Sequence, residues 1–201
     1  KAIWMAIDRD AIIKYVIPGG EVAMKLDALC FPSTIACKYT AKPPSYDPDG
    51  AKKLLIEAGY ANGFDMEYDV PAPSKAIGEA IAGQLLKIGV RAKVNPNTMQ
   101  LYRRKQGDGK LEAWSRVFPT GSFPDADNIV GVLFDGPVIP YFNDDSLQTW
   151  MTEGAQEIDI AKRSEIYRKF FDRVNEQFYS LPISSIPTAN VHSKDVRIET
   201  N

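Results

Sequence analysis

Histidine is almost missing from this sequence of 201 residues. His192 is its one imidazole and Cys30 and Cys37 are its two thiols, so the donor set of a zinc site is lacking. Also missing are a G-x-S-x-G elbow, a G-x-G-x-x-G loop after a strand, and a phosphate-binding P-loop. His192 has no evident nucleophile beside it and reads as a surface or edge-strand residue. No apolar run is long enough to cross a bilayer, and there is no internal repeat or low-complexity tract. Lys and Arg total 24 against 26 Asp and Glu, and a net charge of -2 gives no electrostatic case for nucleic acid. No leader precedes the apolar, helical opening at Ala2-Ile3-Trp4-Met5, and both ends read as cuts through a longer polypeptide. These omissions argue against an enzyme and against a resident metal or cofactor.

What is present is a chain long enough to bury a sizeable core, with ordinary globular composition. Asp8 is placed to cap a short helix from Arg9 to Val16, which Pro18-Gly19-Gly20 stops. From Glu21 to Ser45 no period is sustained. So long a loop in a compact unit should be covering something or pinned. Asp47-Pro48 then starts a helix that Gly59 ends. Phe64, Met66, Tyr68 and Val70 alternate as a strand, and Ser74 caps a helix in which Ile77, Ile81, Leu85 and Ile88 share a face. Val90, Ala92 and Val94 form the next strand, and Thr98 opens a short helix through Gln106. Strands alternating with helices predict an α/β fold, a mostly parallel twisted sheet with helices on both faces, as one domain over residues 1–201. Farther on, Asn143 is expected to cap a helix to about Ala155, and Asp159 to open the longest helix. There Tyr167, Phe170, Phe171, Val174 and Phe178 make a core stripe, while Arg163, Arg168, Lys169, Asp172 and Arg173 form a solvated face. Leu181 to Val191 reads as a final edge strand, given Pro182 and Pro187.

The stretch Lys110–Asn128, KLEAWSRVFPTGSFPDADN, organises the functional reading. Leu111, Ala113, Ser115 and Val117 alternate with Glu112, Trp114 and Arg116 as a strand. The strand breaks into an aromatic, proline-rich loop from Phe118 to Pro124, and Asp125 stands at a helix start. The carboxyl ends of parallel strands are where open α/β sheets place ligands. Asp125 and Asp127 suit helix capping and dipole compensation. The alternative is an enzyme fragment with one of them as base, its site completed by chain outside this segment. Cys30 and Cys37, seven apart in CFPSTIAC, fit either a local disulfide or two buried thiols.

Four blocks resemble, in order, the family 5 extracellular solute-binding proteins, the dipeptide- and oligopeptide-binding receptors of ABC importers. They are AIDRDAI at Ala6–Ile12, YDPDGAKKLLIEAGYANGF at Tyr46–Phe64, AIAGQLLKIGVRAKV at Ala80–Val94 and PDADN at Pro124–Asn128. The second is the most specific. The resemblance implies the large carboxyl-terminal lobe of a two-lobed periplasmic-binding-protein-like receptor, monomeric and without a cofactor. It would be periplasmic, or extracellular as a membrane-anchored lipoprotein. Its implied partners are a peptide or other small solute, the amino-terminal lobe of the same chain and an ABC permease. The extracytoplasmic setting favours the Cys30–Cys37 disulfide. The cleft would be lined by Phe118 and Phe123 as apolar walls, with Arg116, Thr120, Ser122 and Asp125 as polar contacts.

One departure stands out. Peptide-binding members read like SGW-x-x-D-x-x-DPDN here, the first Asp anchoring the peptide ammonium. In this chain Phe118 is nearest the Trp position, and the Asp position falls on Gly121 or Ser122, neither of them acidic. The resemblance therefore leaves the ligand open among peptides, nickel complexes, haem, sugars and opine-like compounds.

Overall fold

The computed structural model describes residues 1–118, 123–134, 141–187 and 193–195. His192 and residues 119–122 of the aromatic loop lie outside them.

Local capping explains most of the helix boundaries. Helix α1 (Ala2–Met5) precedes α2 (Arg9–Tyr15), and between them Asp8 accepts from the Ala11 N–H at 2.9 Å. Asp47 accepts from Gly50 to cap α3 (Pro48–Glu57), whose first residue needs no amide partner. Strand β1 (Phe64–Pro71) runs through a 3-10 turn, Ala72–Ser74, into α4 (Lys75–Leu86). Strand β2 (Val90–Asn97) follows, then α5 (Met99–Gly107), where the Thr98 hydroxyl accepts from Leu101. The sheet is completed by β3 (Ala113–Trp114) in the order β2-β1-β3, all parallel.

Register begins at a pair of glycines. Gly63 and Gly89 precede β1 and β2 with φ of +68° and +90°, and Phe64 then pairs with Val90. A Cβ on Gly63 would lie 1.7 Å from the Gly89 carbonyl oxygen, so no other residue fits this close approach. Helices cover both faces of the sheet. Tyr68 and Val70 point into a core with Ile81 and Leu85 of α4, Leu55 of α3 and Ile12 of α2. Asp69 points the other way, toward Lys105 of α5. Burying side chains such as Ile81 and Leu85 contributes roughly 1.5–3 kcal/mol each.

A second core lies against the first. It joins α6 (Ala126–Phe134), α7 (Asp145–Gln156) and α8 (Ile160–Glu176) to the 21–45 loop. Phe170 meets Phe134 edge-on with centroids 5.0 Å apart. Gly154 lets the Tyr167 ring approach, since a Cβ there would sit 2.6 Å from Cζ. The two cores are tied by Trp4 edge-on to Phe178 at 5.2 Å and by Arg9 of α2 donating to Asp27 of the 21–45 loop at 3.3 Å; the Asp27 carbonyl in turn accepts from Asn175 of α8.

Four expectations from sequence are corrected. The strand expected from Leu111 to Val117 contracts to Ala113–Trp114, because Leu111 donates instead to the Tyr141 hydroxyl at 2.8 Å. The α7 cap is Asp144, one residue past Asn143; one carboxylate oxygen accepts from Ser146 and Leu147 while the other takes Arg173 and Tyr179. Of the expected strand from Leu181, the described part through residue 187 holds a single antiparallel bridge, Ser184 to Lys25. The charged face of α8 is not simply solvated. Asp172 is 7% exposed and accepts from the Thr40 amide and hydroxyl, the Ala41 amide and Arg168. These bonds pin the end of the long loop, which had no periodicity by which to announce its own anchor.

Candidate functional site

The three parallel strands end together, and the chain leaves their carboxyl edge at Ala72–Ser74, at Thr98 and at Ser115. Asp69, nearly inaccessible at 1% exposed, organises that edge. Its carboxylate accepts from the Asn97 amide at 2.6 Å and from the Lys105 ammonium, and its backbone carbonyl accepts from the Ser115 N–H at 3.2 Å. The Ser115 carbonyl in turn accepts from the Tyr102 hydroxyl at 3.3 Å. Burial raises the Tyr102 phenol far above its ordinary pKa, so it stays a donor. Both main-chain groups of Ser115 are thus held, which fixes where the next residue departs.

That next residue is Arg116. Its guanidinium lies over the Phe118 ring, 5.7 Å from the centroid. Among the described residues no carboxylate pairs with it and no hydrogen-bond acceptor meets it. Burial lowers its pKa, with Tyr102 opposing and Arg103 adding to the effect. A guanidinium stays charged regardless. Arg116 is therefore a half-buried cation at the carboxyl edge of a parallel sheet, stacked on an aromatic ring and without a carboxylate partner among the described residues.

The other expected site residues fall in two groups. Phe118 is half-buried, with its inner side against the second core, whereas Phe123 is 68% exposed. Both are more accessible than Phe170 and Phe171, at 0% and 1%. Thr120 and Ser122 lie outside the described residues. Asp125 turns back into the protein. Its two oxygens receive the two terminal nitrogens of Arg163, each at 2.6 Å, and one of them also accepts from the Asp127 N–H. Asp127 accepts from the Tyr167 hydroxyl at 2.6 Å. Neither carboxylate is presented as a free base. Sequence reading missed Arg163 in this role, because its partner is 38 residues away and nothing local marks it.

Cys30 and Cys37 are joined as a disulfide, with Cα atoms 5.9 Å apart, inside the otherwise irregular 21–45 loop. A hollow of about 300 Å³ lies elsewhere, lined by residues that include Arg9, Asp10, Lys25, Asp27 and Lys42. Its charges are engaged with one another, Arg9 and Lys42 sharing Asp27 and Lys25 pairing with Asp10, which leaves one positive charge in excess. Among the described residues no cluster of His, Cys, Asp and Glu could hold a metal ion.

Residues 1–139 match the family model of bacterial extracellular solute-binding proteins, family 5 Middle. Heme-binding protein A of Haemophilus influenzae is 29% identical over 204 residues, covering 92% of this chain and 35% of that protein. The glutathione-binding protein GsiB of Escherichia coli K12 is 26% identical over 216 residues, covering 98% of this chain and 40% of that protein. The chain thus spans well under half the length of these relatives. The dipeptide-binding protein of Pseudoalteromonas sp. SM9913, solved with Met-Leu, superposes with a TM-score of 0.81 at 24% identity. That match covers 91% of this chain and 38% of the solved one, and it shows the fold, that of a periplasmic-binding-protein lobe. By its sequence and by the lobe it forms, the chain belongs to the family 5 bacterial extracellular solute-binding proteins.

Proposed function

We propose that this chain is the carboxyl-terminal lobe of the substrate-binding component of an ABC importer. The receptor captures a small solute between this lobe and an amino-terminal one by hinge closure, and the closed form delivers it to a membrane permease. It works outside the cytoplasmic membrane, in the periplasm or as an anchored lipoprotein, as a monomer and without chemistry of its own. Phe118 and Phe123 wall the solute. Thr120 and Ser122 supply polar contacts, and Asp125 shapes the end of the loop through Arg163.

The observation that carries this reading is Arg116, which has no carboxylate partner among the described residues. A half-buried guanidinium that no described carboxylate meets gains most when a carboxylate arrives in bidentate geometry. Haem, glutathione and the dipeptide Met-Leu, named in the relatives and the solved neighbour, share little in shape. They do share carboxylate groups. An ammonium is not common to them, since haem has none, which suits a loop with Gly121 and Ser122 where an acidic anchor is expected. The solute proposed here is an anionic, carboxylate-bearing compound with an apolar portion.

Calorimetric titration of the full-length receptor with haem, glutathione and Met-Leu tests this. At least one is expected to bind, and Arg116→Ala to weaken that binding tenfold or more with an unchanged melting temperature. Equal affinity in parent and variant overturns the role of Arg116. Absence of binding by all three overturns the proposed solute class.

A further inference from the structure

The Cys30–Cys37 loop does not merely cover the second core; it is hydrogen-bonded to the end of the aromatic loop. Between the cysteines, Ile35 forms a parallel bridge with Asp125. Its N–H donates to the Pro124 carbonyl at 2.8 Å, and its carbonyl accepts from the Ala126 N–H at 2.9 Å. Ala126 is the first residue of α6, and its amide is one of the donors that no helical carbonyl can satisfy. Ile35 satisfies it with main chain alone. The Ile35 side chain is 47% exposed, so its position is held by its backbone rather than by burial.

Several features present that backbone. Thr34 donates to the Phe31 carbonyl and Cys37 to the Thr34 carbonyl, closing one tight turn before Ile35 and a second that contains it. Ala36 is held at φ +60°, in the left-handed region that disfavours a Cβ-bearing residue. Cys30, 1% exposed, is anchored in the same core as Ala126, Ile129 and Val130. The disulfide ties Cys37 to that anchor across a ring too short to leave Ile35 free. Past it, Thr40 and Ala41 are fastened to Asp172 of α8, the helix whose Arg163 grips Asp125.

We propose that the Cys30–Cys37 disulfide is a positioning device for the ligand loop. By fixing Ile35 against Pro124 and Ala126, it sets the angle at which the aromatic loop rejoins the fold. Arg163 holds the same point through the Asp125 side chain, and the disulfide loop holds it through the backbone. Two independent grips leave residues 124–126 little rotational freedom, so Phe123, next in line, is presented in one orientation. The inference rests on the reading of this loop as a ligand wall, but its test requires no ligand.

The experiment is amide hydrogen exchange on the full-length receptor, comparing parent, Cys30→Ala/Cys37→Ala, and parent reduced with dithiothreitol. Reduced parent serves should the double variant fail to fold. Exchange at Ala126 and Ile35 is expected to quicken at least tenfold more than exchange at Val70 of β1 and Phe171 of α8, core amides that report the loss of global stability. Reoxidation is expected to restore the parent pattern. An unchanged Ala126 amide overturns the proposal. So does acceleration spread evenly over all four amides, which would make the disulfide a staple of global stability only. Failure of the solute class leaves this exchange result standing, so the two readings fail separately.

Discussion

Arg163 and Asp125 form a two-pronged ion pair, each carboxylate oxygen meeting one terminal guanidinium nitrogen at 2.6 Å. The Arg163 Nε additionally donates to the Gly154 carbonyl at 2.9 Å, so one side chain joins the loop before α6 to the end of α7. With 16% and 23% of the two side chains still exposed, solvent screens part of the interaction. Arg163→Ala is expected to cost about 2 kcal/mol, below the cost of breaking a fully buried pair. Urea unfolding measures it. A change under about 0.5 kcal/mol would place the pair among ordinary surface contacts.

The glycine pair before the strands gives a steric contrast. Gly63→Ala drives a Cβ against the Gly89 carbonyl and is expected to cost about 3 kcal/mol or to prevent folding. Gly59 also has a positive φ, +88°, but nothing lies within 4 Å of its would-be Cβ. Gly59→Ala should therefore cost only the left-handed backbone penalty, about 1–2 kcal/mol. Equal losses in thermal unfolding would contradict the close approach of the two turns.

Two carboxylates tie stability to pH. Burial alone would raise the pKa of Asp172, but hydrogen bonds from Thr40, Ala41 and Arg168 outweigh it and hold the group below its ordinary value. Asp144 is likewise lowered, burial being overcome by Arg173, Tyr179 and the Leu147 amide. A carboxyl group depressed in the folded state contributes stability that is present above its unfolded pKa, about 3.9. That stability is lost as pH falls through the folded values. Urea midpoints should hold from pH 7 to 5 and drop below pH 4, and Asp172→Asn should flatten the drop. An acid drop as steep in the variant as in the parent would exclude Asp172 from the effect.

The disulfide also constrains the unfolded chain. Closing a ring this short corresponds to about 2.5 kcal/mol on the chain-entropy model. Reduction is expected to lower the urea midpoint by that order, with a gain under about 0.5 kcal/mol counting against a stabilising bridge.

What could be read from sequence was local. Asp8, Asp47, Thr98 and Asp159 each accept from an amide two or three residues on, so residue type and spacing identified them as caps. Asn143 and Asp144 are equally good caps by that logic. The choice falls to Asp144 through Arg173 and Tyr179, 29 and 35 residues away. The charges of α8 were misread for the same reason: the partners of Arg163 and Asp172 lie in loops without periodicity. Leu181–Val191 was expected as an edge strand, but the described part through residue 187 bridges only Lys25, and Pro182 has no N–H to donate. Arg116 was legible as a candidate by its place near the carboxyl end of the expected Leu111–Val117 strand, beside the aromatic loop. That no described carboxylate pairs with it was not, because a partner's presence or absence is a property of the folded surroundings.

The central claim, that the loop reads a carboxylate through Arg116 and does not read an ammonium, is tested most directly by calorimetry on the full-length receptor. The three ligands to compare are Met-Leu, N-acetyl-Met-Leu and Met-Leu amide. The expected result is that acetylation leaves affinity within about threefold, whereas converting the carboxylate to an amide weakens it at least tenfold, about 1.4 kcal/mol. A hundredfold loss on acetylation, about 2.7 kcal/mol, with tolerance of the amide, would show an acidic group reading the ammonium and contradict the claim.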